Sequence, residues 1–526
     1  MLTLFLSAFA ALSFWIASVT GFGLVISGNS FIVTTDGGLV FTVESTSGDI
    51  TSMKFNGIES SASGKRSQIS SGIGATCTWV QGGNENNYII VTCKTSTLTQ
   101  FYVARRNDPA IHMGTFTSAE PTVGELRFIA RLSTTALPNG FAVSNIVGGT
   151  AIEGSDVYLV NGQTRSKFYS SRQFIDDQVH GVTGSGVGAF MIIPGTGYES
   201  SSGGPFMRDI NNQNSGDQEL YFYMNSGHTD TEAFRQGFHG PYALWFTTGA
   251  TPTTFDTTFW ATLPSITGFV AQAGRGRVTG KASNFRASHN TLLSIGWSNS
   301  AAEYWVRTDT SGNFVSPFMK PGTYTMTLYE VELAVGTTTV GVTAGGTTTA
   351  NIASTLSLPA TTIWTLGDYD GTPRGFLNAD KIETMHPSDT RMSSWGPVTF
   401  TIGSSATAFP MAIFQAIGPV VIKTTLTSSQ IGARTLAIAT TLAFAGGRPV
   451  VSVGSFTSAV PAVPNQPDSR GVTRGTWRGN NILYTYNIPS GVLVTGTNTI
   501  TISVASGSSG ATFLSPNIIF DALWFF

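Results

Sequence analysis

An all-β protein of three domains is predicted by three observations. Only 11% of the 526 residues are charged, glycine numbers 60, and Thr, Ser, Val and Ile dominate the rest. Surface helices call for charged and Ala-rich faces, whereas β-branched residues interrupted by turn formers make strands. The length predicts two to four domains, with enough chain to bury a core in each. A net charge of −2 gives no global steering toward a polyanion or nucleic acid, so any anion site must be local.

Residues 1–20, MLTLFLSAFAALSFWIASVT, form an apolar run ending in small residues, with Ser18 and Thr20 placed where a signal peptidase reads. They predict a secretory signal; the missing positive start leaves a membrane anchor as the alternative. No later stretch is apolar enough to span a bilayer, and the mature chain is expected to begin near Gly21. Cys77 and Cys93 are the only cysteines. They sit in strand-like ATCTWV and YIIVTCKT around GGNENN, a hairpin loop, and in a secreted chain they are expected to pair. Two thiols without nearby histidines complete no zinc site. The sequence contains no Asn-X-Ser/Thr sequon.

The first domain is expected over residues 21–267, a large β-sandwich. Its clearest strand is GELRFIARL, where Leu126, Phe128, Ala130 and Leu132 alternate with Glu125, Arg127, Ile129 and Arg131. Two arginines on a polar sheet face are either solvated or a carboxylate clamp, for which guanidinium geometry is suited. A second unit, residues 268–355, has the size of a fibronectin-type-III-like sandwich; the valines and isoleucine spaced through its threonine-glycine run predict strands rather than a linker. Residues 356–526 fit a jelly roll. Its Trp364, Trp395, Trp477 and Trp524 are either core or sugar-stacking. Asp368 and Asp370, two apart in a turn, form either an Asx turn or a calcium pair, and two carboxylates are no specific calcium motif.

The chemistry is expected between residues 165 and 242, which gather a lysine, tyrosines, three histidines and a glycine-rich loop. Read as strands, this stretch puts Arg165, Lys167 and Tyr169 on one face and Tyr221 and Tyr223 on another, with His228 just past Asn225-Ser226-Gly227. A cation, phenols and an imidazole in one cleft suit proton transfer beside a bound anion. Hydrolysis needs two carboxyls across a scissile bond, and Glu153, Asp156, Asp176, Asp177, Glu199 and Asp209 keep that class open. Asp176 and Asp177, being adjacent, would face opposite sides of a strand. No G-x-S-x-G elbow near a suitable His and Asp and no H-E-x-x-H motif occurs.

The blocks RSKFYSS, FIDDQ, ESSSGGPF, YMNSGH and HGPY, in this order, resemble the catalytic domain of the fungal rhamnogalacturonan lyases of polysaccharide lyase family 4. The likeness runs on through GELRFIARL, MKPGTYTM, MHPSDTRMSSWGP and DSRGVTRG. It implies Lys167 and His228 as the catalytic pair, Arg127 as the group that meets the uronate carboxylate, and Tyr221 and Tyr223 as further substrate-binding residues. His239, in HGPY, is expected to be structural, and Glu199 is given no role. The resemblance also implies a carbohydrate-binding-module-like third domain. It implies a disulfide from the later cysteine to a position farther upstream, where this chain carries Ser47-Gly48-Asp49; Cys77 departs from that pattern.

β-Elimination fits this set, since C5 of a galacturonate loses a proton only when its carboxylate is neutralised. A lysine's ordinary pKa of about 10.4 makes it a poor base at neutral pH, and burial beside a like charge such as Arg165 acts in the required direction. The expectation is therefore an endo-acting lyase of rhamnogalacturonan I: secreted, monomeric, without a required cofactor, and binding neither nucleic acid nor membrane. A pectin-binding protein without catalysis and a pectin hydrolase are the alternatives.

Overall fold

The alternation read in GELRFIARL becomes the strand Glu125–Leu132. Leu126, Phe128, Ala130 and Leu132 enter a core shared with Leu220, Phe222 and Met224 of the neighbouring strand Gln218–Ser226. Full burial of each such side chain contributes roughly 1.5–3 kcal/mol. This computed structural model describes residues 21–119, 125–228, 230–392, 394–467 and 470–526; the expected signal segment, residues 1–20, lies outside them.

The first sandwich sets a four-stranded sheet against a seven-stranded one. The small sheet runs Asn212–Asn214, Gln218–Ser226, Glu125–Leu132, Gln68–Ile69. In the large sheet the central strands are Gly237–Thr247, Ala110–Thr117 and Leu98–Arg105. Met113, Tyr102, Met191 and Leu244 supply its side of the core. An antiparallel meander of five strands, from Gly23–Ser27 to Ile58–Glu59, adds Phe31, Phe41, Val43 and Met53 to the same core.

The hairpin Thr76–Gly82/Tyr88–Lys94 places Cys77 directly opposite Cys93, and the two are disulfide-bonded. Gly48 lies against the same thiol: a Cβ built there would be 3.2 Å from Cys93 Cβ and 3.5 Å from its Sγ. The upstream position where the resemblance implied a partner is thus beside Cys93, whose partner here is Cys77. Closing a loop this short limits the stabilisation to about 3 kcal/mol in the chain-entropy model. Reduction is expected to lower the unfolding temperature without abolishing folding. Two thiols titrating in the unreduced, unfolded protein would refute the bond.

The second sandwich pairs Glu303–Arg307, Leu293–Ser298, Gly322–Glu330 and Leu333–Val342 in one sheet against Arg277–Ser283 and its neighbours in the other. The threonine-glycine run is built of strands, with Val335, Val340 and Val342 buried between exposed threonines. The third sandwich stacks two five-stranded sheets over its own core. All four of its tryptophans singled out in the sequence are buried there, which settles them as packing residues.

Polar contacts buried between domains join the sandwiches. Glu199 accepts from Arg275 Nη1 at 2.6 Å, Arg275 Nη2 at 3.0 Å and the Tyr304 hydroxyl at 2.7 Å, with Lys320 Nζ at 3.2 Å. Arg208 of the first sandwich donates to Glu383 Oε1 at 2.6 Å and to the Gly475 carbonyl at 2.7 Å, both in the third. Gly475 has φ +70°, and a Cβ there would lie 2.9 Å from the Glu383 carbonyl and from Tyr169 Cδ1, so only glycine lets this loop approach.

Candidate active site

The polar face of the strand Glu125–Leu132 lies over a small apolar cluster of Ile129, Phe168, Tyr169, Ile210, Tyr221 and Tyr223. Register sets Arg127 opposite Tyr223 and Ile129 opposite Tyr221, with a bulge just before Arg127. Tyr221 and Tyr223, two apart on one strand face, stack with ring centres 5.7 Å apart, and the Arg127 guanidinium lies 5.6 Å from the centre of the Tyr223 ring. The Tyr221 hydroxyl donates to Glu219, which also accepts from Arg131 Nε at 3.0 Å. Burial, reinforced by Glu219 for Tyr221 and by Asp209 for Tyr223, pushes both phenols well above their usual range. Both shifts favour the protonated phenol, the form that donates.

Past the strand end, the Ser226 hydroxyl accepts from the backbone N–H of His228 at 3.2 Å and begins the turn. The imidazole is held on both nitrogens: Nδ1 lies 2.9 Å and 3.1 Å from the two carboxylate oxygens of Asp209, and Nε2 lies 2.8 Å from Glu125. Glu125 also accepts from Arg127, so one carboxylate bridges the two groups expected to meet substrate. Burial pushes the Asp209 carboxyl upward, but the charge and hydrogen bond of His228, with the Ser226 hydroxyl and the Ile210 N–H at 2.7 Å, carry it below the usual range. Asp209 is thus an anion that orients the ring.

Lys167 differs from its expected setting. The strand Gln163–Ser166 ends one residue earlier, and Lys167–Ser170 is a 3₁₀ turn whose second N–H, that of Phe168, donates to the capping Ser166 hydroxyl at 3.3 Å. The period of two stops at the turn, so Arg165, Lys167 and Tyr169 do not share a strand face. Arg165 donates to the Asn145 carbonyl at 3.2 Å, while Tyr169 is buried with its hydroxyl on the Thr473 carbonyl at 3.2 Å. The turn instead presents Phe168 as a hub. Lys167 Nζ lies 5.5 Å from its ring centre, His228 meets it edge-on at 5.3 Å, and the Arg474 guanidinium lies at 5.0 Å.

Arg474 and Arg470 come from the third sandwich, in the DSRGVTRG block, to which the sequence reading gave no role. Asp156 gathers Lys167 Nζ at 3.6 Å, Arg474 Nη2 at 3.6 Å and Arg470; Glu153 takes Arg470 Nη1 at 2.5 Å and His386 Nε2 at 2.8 Å. Burial, then the charge of Arg470, lowers the pKa of Arg474 from its ordinary value. Arg474, rather than Arg165, is the guanidinium that shares a ring and a carboxylate with Lys167. Two arginines four apart in a chain so poor in charge were the available signal.

The carboxylates kept open for hydrolysis are otherwise engaged. Glu153, Asp156 and Asp209 each face a cation or an imidazole, as above. Asp176 and Asp177 do diverge, Asp176 to Arg307 at 2.7 Å on the surface and Asp177 to buried His180 at 2.9 Å and Asn211 at 2.7 Å. Glu199 is spent on the domain contact. His239 is the third residue of the strand Gly237–Thr247 rather than part of a turn; burial, with Lys320 nearby, lowers its pKa to about 3 and keeps it neutral. Asp370 forms an Asx turn, accepting from Thr372 N at 2.8 Å. His289, Asp368 and Asp370 still bring three ligand atoms within 4.8 Å, but Arg286 Nη1 lies 2.6 Å from Asp368 in the same cluster.

Arginine and paired phenols on one sheet face, with a lysine on the adjoining 3₁₀ turn and an imidazole just past the strand end, make a β-sandwich site able to move a proton beside an anion. Three family models cover the chain in order: rhamnogalacturonan lyase B, N-terminal, over residues 22–268; polysaccharide lyase family 4, domain II, over 274–350; and domain III over 362–525. Rhamnogalacturonate lyase A of Aspergillus aculeatus is 52% identical over 536 residues, covering all of both chains. A probable rhamnogalacturonate lyase A of Aspergillus terreus is 53% identical over 525 residues, 97% of each. The chain belongs to the rhamnogalacturonan lyases of polysaccharide lyase family 4.

Proposed function

We propose that this protein is a secreted, monomeric, endo-acting rhamnogalacturonan lyase that cuts the α-1,4 bond between rhamnose and galacturonate by β-elimination. The observation that carries the reading is the Phe168 hub, with Lys167, His228 and the third domain's Arg474 around one ring, beside Arg127 on the ring of Tyr223. Arg127 neutralises the uronate carboxylate and makes the C5 proton removable. Lys167 takes that proton, the C4–O bond breaks as the C4=C5 double bond forms, and His228 protonates the departing oxygen. Tyr221 and Tyr223 act as substrate-binding donors and as a stacking surface. Substrate displaces Glu125 from Arg127 and His228. The chain's own cations supply the charge neutralisation, and no cofactor enters these steps. We place the domain borders at residues 267/268 and 355/356 and removal of the leader near residue 20.

Incubation with rhamnogalacturonan tests the reading directly. Ultraviolet absorbance rises as an unsaturated uronate forms at the new non-reducing end; reducing ends without absorbance would mean hydrolysis, and neither signal would mean binding alone. Arg127→Ala is expected to cost about 10- to 100-fold in kcat/KM, the worth of a charged hydrogen bond to the carboxylate. Arg127→Lys should restore part of that loss, because it keeps the charge without the bidentate fork. Unchanged turnover by the lysine variant would remove Arg127 from the mechanism.

A further inference from the structure

A cavity of about 220 Å³ lies where the three sandwiches meet. Its floor is the outer face of the sheet that carries Leu293–Ser298, Glu303–Arg307 and Gly322–Glu330, with Gly296 between Trp305 on one neighbouring strand and Thr327 on the other. Its walls are residues 203–205 and 230–232 of the first domain and residues 478–480 of the third. Gly296 keeps the floor clear, since a Cβ there would lie 3.0 Å from the ring of Tyr329, which also lines the cavity.

Two carboxylates at this cavity have an oxygen without a hydrogen-bond partner: Asp230 Oδ2 and Glu303 Oε1, with Glu303 only 3% exposed. Buried acceptors left this way are costly unless something donates to them. The nearby Arg235 does not meet the need, being committed to Glu232, to the Ser201 carbonyl at 2.6 Å and, at 3.2 Å, to Glu303. Burial, opposed in part by hydrogen bonds and Arg235, pushes Asp230 up to about 7 and Glu303 up to about 8.

We propose that this cavity binds one neutral sugar ring, whose hydroxyls donate to Asp230 and Glu303 while Trp305 and Tyr329 offer apolar surface to its face. A hydroxylated ring supplies donors and an apolar face together, the mixture such pockets select. A uronate would add a negative charge where Asp230, Glu232 and Glu303 already repel one another's ionisation. A metal ion needs ligands that converge, and among the described residues the three-ligand group close enough is His289, Asp368 and Asp370, away from this cavity. Asp230 is two residues beyond His228, and the charge of Asp209 reaches it, so the cavity adjoins the proposed catalytic site. The inference rests on the lyase reading for its meaning: a neutral ring next to that site belongs to the substrate, as backbone rhamnose or as a branch sugar.

The test is ligand-observed saturation-transfer NMR on the full chain with L-rhamnose, D-galactose, galacturonate and calcium chloride, repeated on Gly296→Val, which fills the floor. A neutral sugar should bind the wild type, galacturonate should not compete with it, and its signal should fall about tenfold or more in the variant. Stronger binding of L-rhamnose assigns backbone, and stronger binding of D-galactose assigns a branch. If Gly296→Val does not fold, Asp230→Asn, compared with the wild type above about pH 8 where the Asp230 carboxyl is ionised, keeps the shape, removes the charge and should weaken the same signal by about tenfold, the worth of a hydrogen bond to a charged group. Equal signals in wild type and a folded variant, competition by galacturonate, or displacement by calcium would overturn the proposal. Absorbance measured on polymer with the same wild-type sample separates the two readings: a lyase with no cavity binding refutes the cavity alone, and no absorbance refutes the lyase alone.

Discussion

Lys167→Ala and His228→Ala are each expected to lower kcat/KM on rhamnogalacturonan by about 10²- to 10⁴-fold, the usual worth of a positioned acid or base, with folding retained. Both side chains lie on Phe168 at the surface of a cluster rather than in the main core, which is why the fold should survive their removal, while His228→Ala also lowers stability by leaving the buried Asp209 carboxylate to Ser226 and Ile210 alone. The reverse pairing of base and acid uses the same groups and forms the same product. A bell-shaped pH profile cannot choose between them, because it reports two macroscopic pKa values. A substrate with a good leaving group at the scissile oxygen can choose, since it needs a base and no acid. Recovery of His228→Ala but not of Lys167→Ala on that substrate assigns Lys167 as base; the opposite recovery exchanges the roles, and full activity of both on natural polymer overturns the site. Asp209 holds His228 Nδ1, so Asp209→Asn should alter the pH profile more than substrate affinity.

Arg275→Ala is expected to destabilise the protein by about 3–5 kcal/mol, because it leaves the Glu199 carboxylate buried with only Lys320 and Tyr304 to meet it. Replacing Glu199 and Arg275 together with apolar residues of similar size should cost much less, since no lone charge stays buried. Burial pushes the Glu199 carboxyl up, but Arg275, Lys320 and Tyr304 outweigh it and hold the folded pKa below its ordinary value. The unfolded chain therefore binds this proton more tightly, and the contribution is present above about pH 4.3 and lost as pH falls through the folded value. Denaturant midpoints measured at neutral pH and below pH 4 check this. A wild-type midpoint for Arg275→Ala at neutral pH would show that the cluster does not hold the domains together.

The strand face of Arg127 and the paired phenols were legible because they depend on a period of two within one strand and on which neighbours share a face. Lys167 and His228 were legible as residues through their motifs, but their setting was not. The 3₁₀ turn at Lys167–Ser170 depends on a serine cap and on the fit of Phe168 and Tyr169 beneath the sheet, neither of which has a periodic signal. Asp209 was visible only as one of several acids, until the structure set it 2.9 Å from an imidazole 19 residues away.

By itself the sequence determined the all-β class, the three units and the residue types able to move a proton beside an anion, since alternation, turn composition and local motifs are short-range properties of the chain. Only the tertiary structure decided that the third domain supplies Arg470 and Arg474 to the first, that Glu199 joins domains, and that three walls enclose one cavity. Those contacts join residues more than 300 apart in the chain, 317 between Glu153 and Arg470. They form because burying opposite charges together costs less than burying either alone, and that balance is set by where the packed sandwiches meet.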